Sequence, residues 1–164
     1  MIERGGYRWE LVCAFEVPGK PQAKQRARTV KRQGKTRTYT PRETFDHEWK
    51  ISRCAHRLGK GSKAGGYWTD LQEPLYMVAR CIFQRPRSRY GRKYTDGLIL
   101  RPYRPDKDNL DKACADGIQK AGNLIHDDAQ FVSGECWKFD TERDGKPRTE
   151  IEIYRIMAES ETAE

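Results

Sequence analysis

Apolar residues gather in short runs separated by long polar stretches, and the spacing inside each run differs. Trp9 to Val17 (WELVCAFEV) is nearly continuous in apolar character, as a buried strand is. Pro18-Gly19 ends it. Thr40-Pro41 predicts a helix start, with Thr40 as cap and Pro41 in the first turn. That helix runs to about Leu58, and Phe45, Trp49, Ser52, Arg53 and His56 give it a mixed amphipathic face. Gly59 to Gly66 (GKGSKAGG) is a loop by composition. Pro74 to Phe83 (PLYMVARCIF) reads as a second core strand, and Leu98 to Leu100 follows the Asp96-Gly97 turn as a short strand segment. Leu110, Ala113, Cys114, Ile118 and Ala121 then recur at the i, i+3, i+4 spacing of a core-facing helix, which Gly122-Asn123 closes. Phe131–Phe139 and Thr149–Met157 read as strands joined by a hairpin-like connection through Asp144-Gly145-Lys146-Pro147. The order is β-α-β-α-β-β. It predicts an α+β fold, a mixed sheet of about four strands with both helices on one face. One domain spans 1–157, and 158–164 (AESETAE) forms an acidic tail. A sheet edge or the open face is left for a partner subunit.

Charge changes the picture more than length does. The chain has 164 residues and a formal charge of +8, which suggests a polyanionic partner. Apolar runs are too short for a membrane span, and MIERGGYRWE has no signal-peptide character. The five cysteines are odd in number, widely spaced and without a CxxC pair, so they read as small buried hydrophobes in a reducing compartment. His47, His56 and His126 lack ligand spacing, although His126 adjoins two acids.

The positive charge is concentrated. From Lys20 to Arg42 there are Lys20, Lys24, Arg26, Arg28, Lys31, Arg32, Lys35, Arg37 and Arg42, and no acid. This is either a solvated, partly disordered segment or a loop that grips phosphates; its place between two elements of a compact domain favours the second. Arg85, Arg87, Arg89, Arg92, Lys93, Arg101 and Arg104 form a second basic stretch interleaved with Tyr90, Tyr94 and Tyr103, and Asp96 is the only acid from Gln84 to Pro105. Here phosphate gripping and base stacking stand level with a local tyrosine core.

The candidate chemistry flanks the second helix. Asp106 and Asp108 stand at its entry, and Asp127 and Asp128 stand just beyond its end. A helix packed on a sheet brings its flanking loops to strand ends, so four carboxylates can meet in space. Such a cluster needs a counter-charge, and a few hard oxygen ligands suit Mg²⁺. Lys112 follows Asp108 by four residues and shares its helix face. Carboxylates, a divalent metal and a lysine are a constellation for phosphodiester hydrolysis. The same residues also suit plainer roles: caps, a turn before a strand, and i, i+4 pairing of Lys112 with Asp108 and Asp116.

The run RPDKDNLDKACADGIQ…NLIHDDAQ resembles the signature of RusA-like Holliday junction resolvases, in which Asp-x-Asp-Asn opens a helix, a lysine follows one turn later, and Asp-Asp-x-Gln precedes a strand. VPGKPQAKQRAR followed by YTP resembles the N-terminal part of that family, and the likeness extends from about Phe15 to Tyr154. It implies a small homodimeric endonuclease, dependent on Mg²⁺ or on Mn²⁺ in its place. Such an enzyme nicks four-way DNA junctions symmetrically and is often phage- or prophage-borne. The family's essential carboxylates match Asp106, Asp108 and Asp128, its lysine matches Lys112, and Asp127 matches the other member of the acidic pair. The expected metal ligands are therefore Asp106, Asp108, Asp127 and Asp128. The expected DNA contacts are Lys20, Lys24, Arg26, Arg28, Lys31, Arg32, Arg85, Arg87 and Arg104. Lys60–Gly66 and Gln84–Pro105 look longer than a minimal member needs, which bears on substrate preference. The alternatives are a non-catalytic module for branched or single-stranded nucleic acid, a nuclease acting on forks, flaps or RNA, and a small-molecule phosphohydrolase.

Overall fold

The computed structural model describes residues 1–58 and 68–157, so the loop expected at Gly59–Gly66 and the tail 158–164 lie outside the described residues. The strands are β1 (Ile2–Arg4), β2 (Tyr7–Pro18), β3 (Arg28–Arg32), β4 (Lys35–Tyr39), β5 (Leu75–Phe83), β6 (Ile99–Leu100), β7 (Phe131–Asp140) and β8 (Arg148–Ile156); the helices are α1 (Arg42–Leu58) and α2 (Lys107–Gln119). The main sheet has six strands in the order β1-β2-β8-β5-β7-β6. The α+β class and the four long strands match the sequence reading, but the sheet is larger. β1 folds back on β2 through Gly5-Gly6, both at positive φ, as a tight hairpin requires. β6 adds an edge beside β7.

β5 and β7 run parallel, and the connection between them carries α2. β2/β8 and β5/β8 are antiparallel. Both helices pack on one face. Ile51 and Ala55 of α1 and Leu110, Cys114 and Ile118 of α2 share a core with Cys13, Val17, Met77, Ala79, Cys81, Ile151 and Ile153. A register shift between Leu11 and Cys13 turns Trp9 to the opposite face, where it joins Tyr76, Val78 and Tyr154 in a smaller cluster. All five cysteines are free, and burial pushes the Cys13 thiol up to about 12.

α1 buries a different stripe from the one its aromatics suggest. Thr44, His47, Glu48, Ile51, Ser52 and Ala55 face inward, whereas Phe45 and Trp49 are each 54% exposed. The inward polar groups are tolerated through pairing or neutralisation. Glu48 pairs with Lys120, and burial, with help from Lys50, pushes the His47 imidazole down to about 4.

The first basic segment is no plain loop. β3 and β4 form a separate two-stranded ribbon, and all ten of its residues are exposed. Gln33 and Gly34 both have positive φ, the geometry of a two-residue hairpin loop. Among the described residues, no helix is long and apolar enough to cross a membrane.

Candidate active site

α2 begins at Lys107, with Asp106 in the cap position in extended conformation. Its carboxylate makes no capping hydrogen bond, so the ordinary structural role of an aspartate there is not the one it performs. Asp108 and Lys112 then point from the same helix face into an open pocket of about 360 Å³, lined also by Asp111, Ala115, Asp128, Met77, Phe131, Ser133 and Gly134. Gly134 keeps the floor of this pocket bare. A Cβ there would stand 2.5 Å from the Met77 carbonyl oxygen of the neighbouring strand.

The Asp-Asp-x-Gln run divides its work. Asp127 caps a 3-10 turn (Asp128–Gln130): its Oδ1 accepts from the Ala129 N–H at 2.8 Å. The Gln130 side chain returns the bond by accepting from the N–H groups of Asp127 (3.2 Å) and His126 (2.7 Å). Gln130 Nε2 donates to the Asp70 and Glu73 carbonyls, so the turn is fastened to the approach to β5. This frees Asp128, rather than Asp127, to line the pocket. A His126 ring nitrogen lies 3.1 Å from the Thr69 carbonyl, and His126 does not line the pocket.

Two of the four expected carboxylates, Asp108 and Asp128, therefore share the pocket with Lys112; Asp106 is exposed beside α2, and Asp127 has a turn to hold. A third carboxylate, Asp111, was missed by the sequence reading. It is half buried, and its Oδ1 has neither solvent contact nor a hydrogen-bond partner. Burial raises its pKa above the usual carboxylate value; Lys107 opposes the shift and Asp108 adds to it. The available signal was an acid three residues after Asp108, on the edge of the apolar stripe.

Among the described residues, no three Asp, Glu, His or Cys side chains are gathered tightly enough to enclose an ion as they are placed. The donor set nonetheless fits a hard divalent cation. Asp108, Asp111 and Asp128 offer oxygen only, a buried oxygen of Asp111 lacks a partner, and the Asp108 side chain is 98% exposed, with the Lys107 ammonium 4.0 Å away.

The nine expected DNA contacts fall into three groups. Lys20, Arg26, Arg28, Lys31, Arg32, Arg87 and Arg104 are exposed. Lys24 is partly buried and pairs with Asp116, while its N–H donates to the Asn109 carbonyl at 2.8 Å. It roots the basic segment on α2, one residue from Asp108. Arg85 contradicts the expectation. It is 2% exposed, and its guanidinium donates to the carbonyls of Thr141 (2.8 Å), Thr95 (2.9 Å) and Gly97. It ties the second basic stretch shut and has no face to offer a phosphate.

A search of curated proteins finds no match. The family model described as Endodeoxyribonuclease RusA matches residues 18–154, a span that holds the ribbon, both helices and every carboxylate of the pocket. The chain thus belongs to the endodeoxyribonuclease RusA family.

Proposed function

We propose that this protein is a divalent-metal-dependent endonuclease that resolves four-way DNA junctions by paired nicks, acting as a homodimer. Family membership implies a structure-specific endodeoxyribonuclease. The observation that carries the finer reading is the meeting of Asp108, Asp111, Asp128 and Lys112 in one open pocket. Asp108 and Asp128 would hold Mg²⁺ or Mn²⁺, with Asp106 at the pocket's outer side. Once bound, such an ion polarises a phosphate and supplies a more acidic water. Asp111 fixes the inner edge of the donor set. The Lys112 ammonium stabilises charge that develops on the phosphate oxygens and the leaving oxygen. Exposed arginines of the ribbon, exposed cations at its root and the turn at Arg87 hold the DNA backbone, so the reading of shape precedes any reading of bases. Two pockets related by a dimer twofold would serve two strands of one junction. The same reading sets the enzyme in the cytoplasm of a bacterium or a phage-infected cell.

The test is a labelled four-way junction incubated with Mg²⁺ or with EDTA. Nicking in Mg²⁺ and not in EDTA supports the proposal; binding without nicking in Mg²⁺, and again with Mn²⁺ in its place, would make the protein a non-catalytic module. Asp111→Asn is expected to weaken Mn²⁺ binding about tenfold in calorimetry without DNA. Unchanged affinity would remove Asp111 from the donor set.

A further inference from the structure

The ribbon has two unlike faces. Cross-strand partners share a face, and so do residues two apart along a strand. The pairs Arg28↔Tyr39, Val30↔Arg37 and Arg32↔Lys35 therefore project on one side, and Thr29↔Thr38 and Lys31↔Thr36 on the other. The first face holds Arg28, Arg32, Lys35 and Arg37 with an aromatic and a valine. The second is a threonine face, with the Thr29 and Thr38 hydroxyls 3.1 Å apart, and Lys31 is its only cation.

Such a face is unfavourable in isolation. Arg32 and Lys35 stand directly opposite each other, and like charges so placed destabilise a strand pair. No acid lies between Lys20 and Arg42 to relieve them. A lone two-stranded ribbon is marginal even without that repulsion. A polyanion laid on the cationic face removes the penalty.

The dimensions narrow the choice. Strands of five residues span roughly 17 Å at about 3.4 Å per residue. The major groove of undeformed duplex, about 12 Å wide, admits a two-stranded ribbon; the minor groove, about 6 Å wide, admits one only where the duplex is bent or opened. The root is fixed as well. Lys24 N–H bonds to the Asn109 carbonyl, and Gln25 N–H bonds to Thr44 Oγ1 at 3.2 Å, so the ribbon leaves the body beside the helix that carries Asp108 and Lys112.

We propose that the Arg28–Arg32–Lys35–Arg37 face of the β3–β4 ribbon enters the major groove of a duplex arm, while the threonine face and Lys31 stay outward, and that this contact sets which phosphate reaches the pocket. The inference rests on the nuclease reading for the last clause only. The ribbon contact itself is a claim about binding.

The experiment measures junction binding in EDTA by fluorescence anisotropy over a range of salt. Full-length wild type is compared with R28Q/R32Q/K35Q/R37Q, with T29A/T36A/T38A and with K31Q. The cationic-face variant should lose up to about 3.5 units of the log–log salt slope, at roughly 0.9 per phosphate contact. The threonine-face variant should match wild type, and K31Q should change the slope by less than half as much as R32Q alone. Wild type should also protect guanine N7 in one arm from dimethyl sulfate, since N7 lies in the major groove, and the cationic-face variant should not. Equal slope losses from K31Q and R32Q, or N7 left reactive under bound wild type, would overturn the proposal. If the fourfold variant loses its fold by circular dichroism, R32Q and R37Q singly carry the test, each expected to lower the slope by about 0.9. Face-dependent binding without nicking would sink the nuclease reading and leave the ribbon standing; nicking with face-independent binding would do the reverse.

Discussion

The two basic stretches are alike in their density of cations and differ in how those cations are used. Along Lys20–Arg42 most cations stand in solvent, with Lys24 as the anchor. Along Gln84–Pro105 Arg85, Arg89 and Arg101 turn inward, while Arg87, Arg92 and Arg104 stay in solvent. Arg89 and Arg101 converge on Asp140, whose side chain is fully buried, and Arg85 closes on three backbone carbonyls. The tyrosines join this internal network. Arg85 and Arg143 lie over the Tyr90 ring, Arg89 over Tyr94 and Tyr103, and Arg101 over Tyr103 and Phe83. Tyr90 also donates its hydroxyl to the Arg143 carbonyl at 2.8 Å. Arginine density is thus no measure of a DNA surface. What decides is whether acceptors lie within reach; those of the second stretch are carbonyls of the stretch itself and, from the end of β7, the Asp140 carboxylate and the Thr141 carbonyl.

That contrast can be broken most forcefully at Asp140. Asp140→Ala strips Arg89 and Arg101 of their shared partner in a site where the arginines are 10% and 19% exposed. Loss of one partner from a buried ion pair costs about 3–5 kcal/mol. Thermal denaturation should show a fall of roughly 10 °C. A shift within about 1 °C would mean that Asp140 does not hold the stretch together.

Arg85→Ala comes next. It leaves three carbonyls without their donor, so a loss of about 2–3 kcal/mol is expected in urea unfolding. Its salt slope for junction binding should equal that of wild type. A slope lowered at unchanged stability would return Arg85 to the DNA surface.

The smallest effect on stability, and the largest on salt response, belongs to the ribbon. Arg37→Gln should change unfolding free energy by less than about 0.5 kcal/mol, as exposed substitutions do. It should lower the salt slope by about 0.9. The reverse pattern would erase the distinction between the two stretches.

Much of this was legible in the residues. Apolar runs located β2, β5, β7 and β8, and the i, i+3, i+4 stripe located α2; β5 is buried on both faces and so reads as a continuous run, while α2 has one face whose burial dictates its period. Other features were not read. Gln33-Gly34 between alternating threonines signalled a hairpin, but the density of charge masked it. The α1 stripe was misjudged because its inward face is built of Thr44, His47, Glu48 and Ser52, while its large aromatics point to solvent. Asp111 was passed over because a carboxylate at the edge of an apolar stripe looks like solvated surface until its burial is known. The separate fates of Asp127 and Asp128 needed the geometry of the Gln130 side chain, which sequence spacing alone does not supply.

Adjacent aspartates with different work offer the most direct test of the central claim, that carboxylates of α2 and of the turn before β7 form one hydrolytic pocket. The measurement is nicking of a four-way junction in Mg²⁺ by Asp128→Asn and Asp127→Asn, with junction binding followed in the same samples. Asp128→Asn should bind and fail to nick. Asp127→Asn should still nick at close to wild-type stability, since the asparagine Oδ1 can accept from the Ala129 N–H as the aspartate does. An Asp128→Asn protein that nicks as fast as wild type would contradict the account.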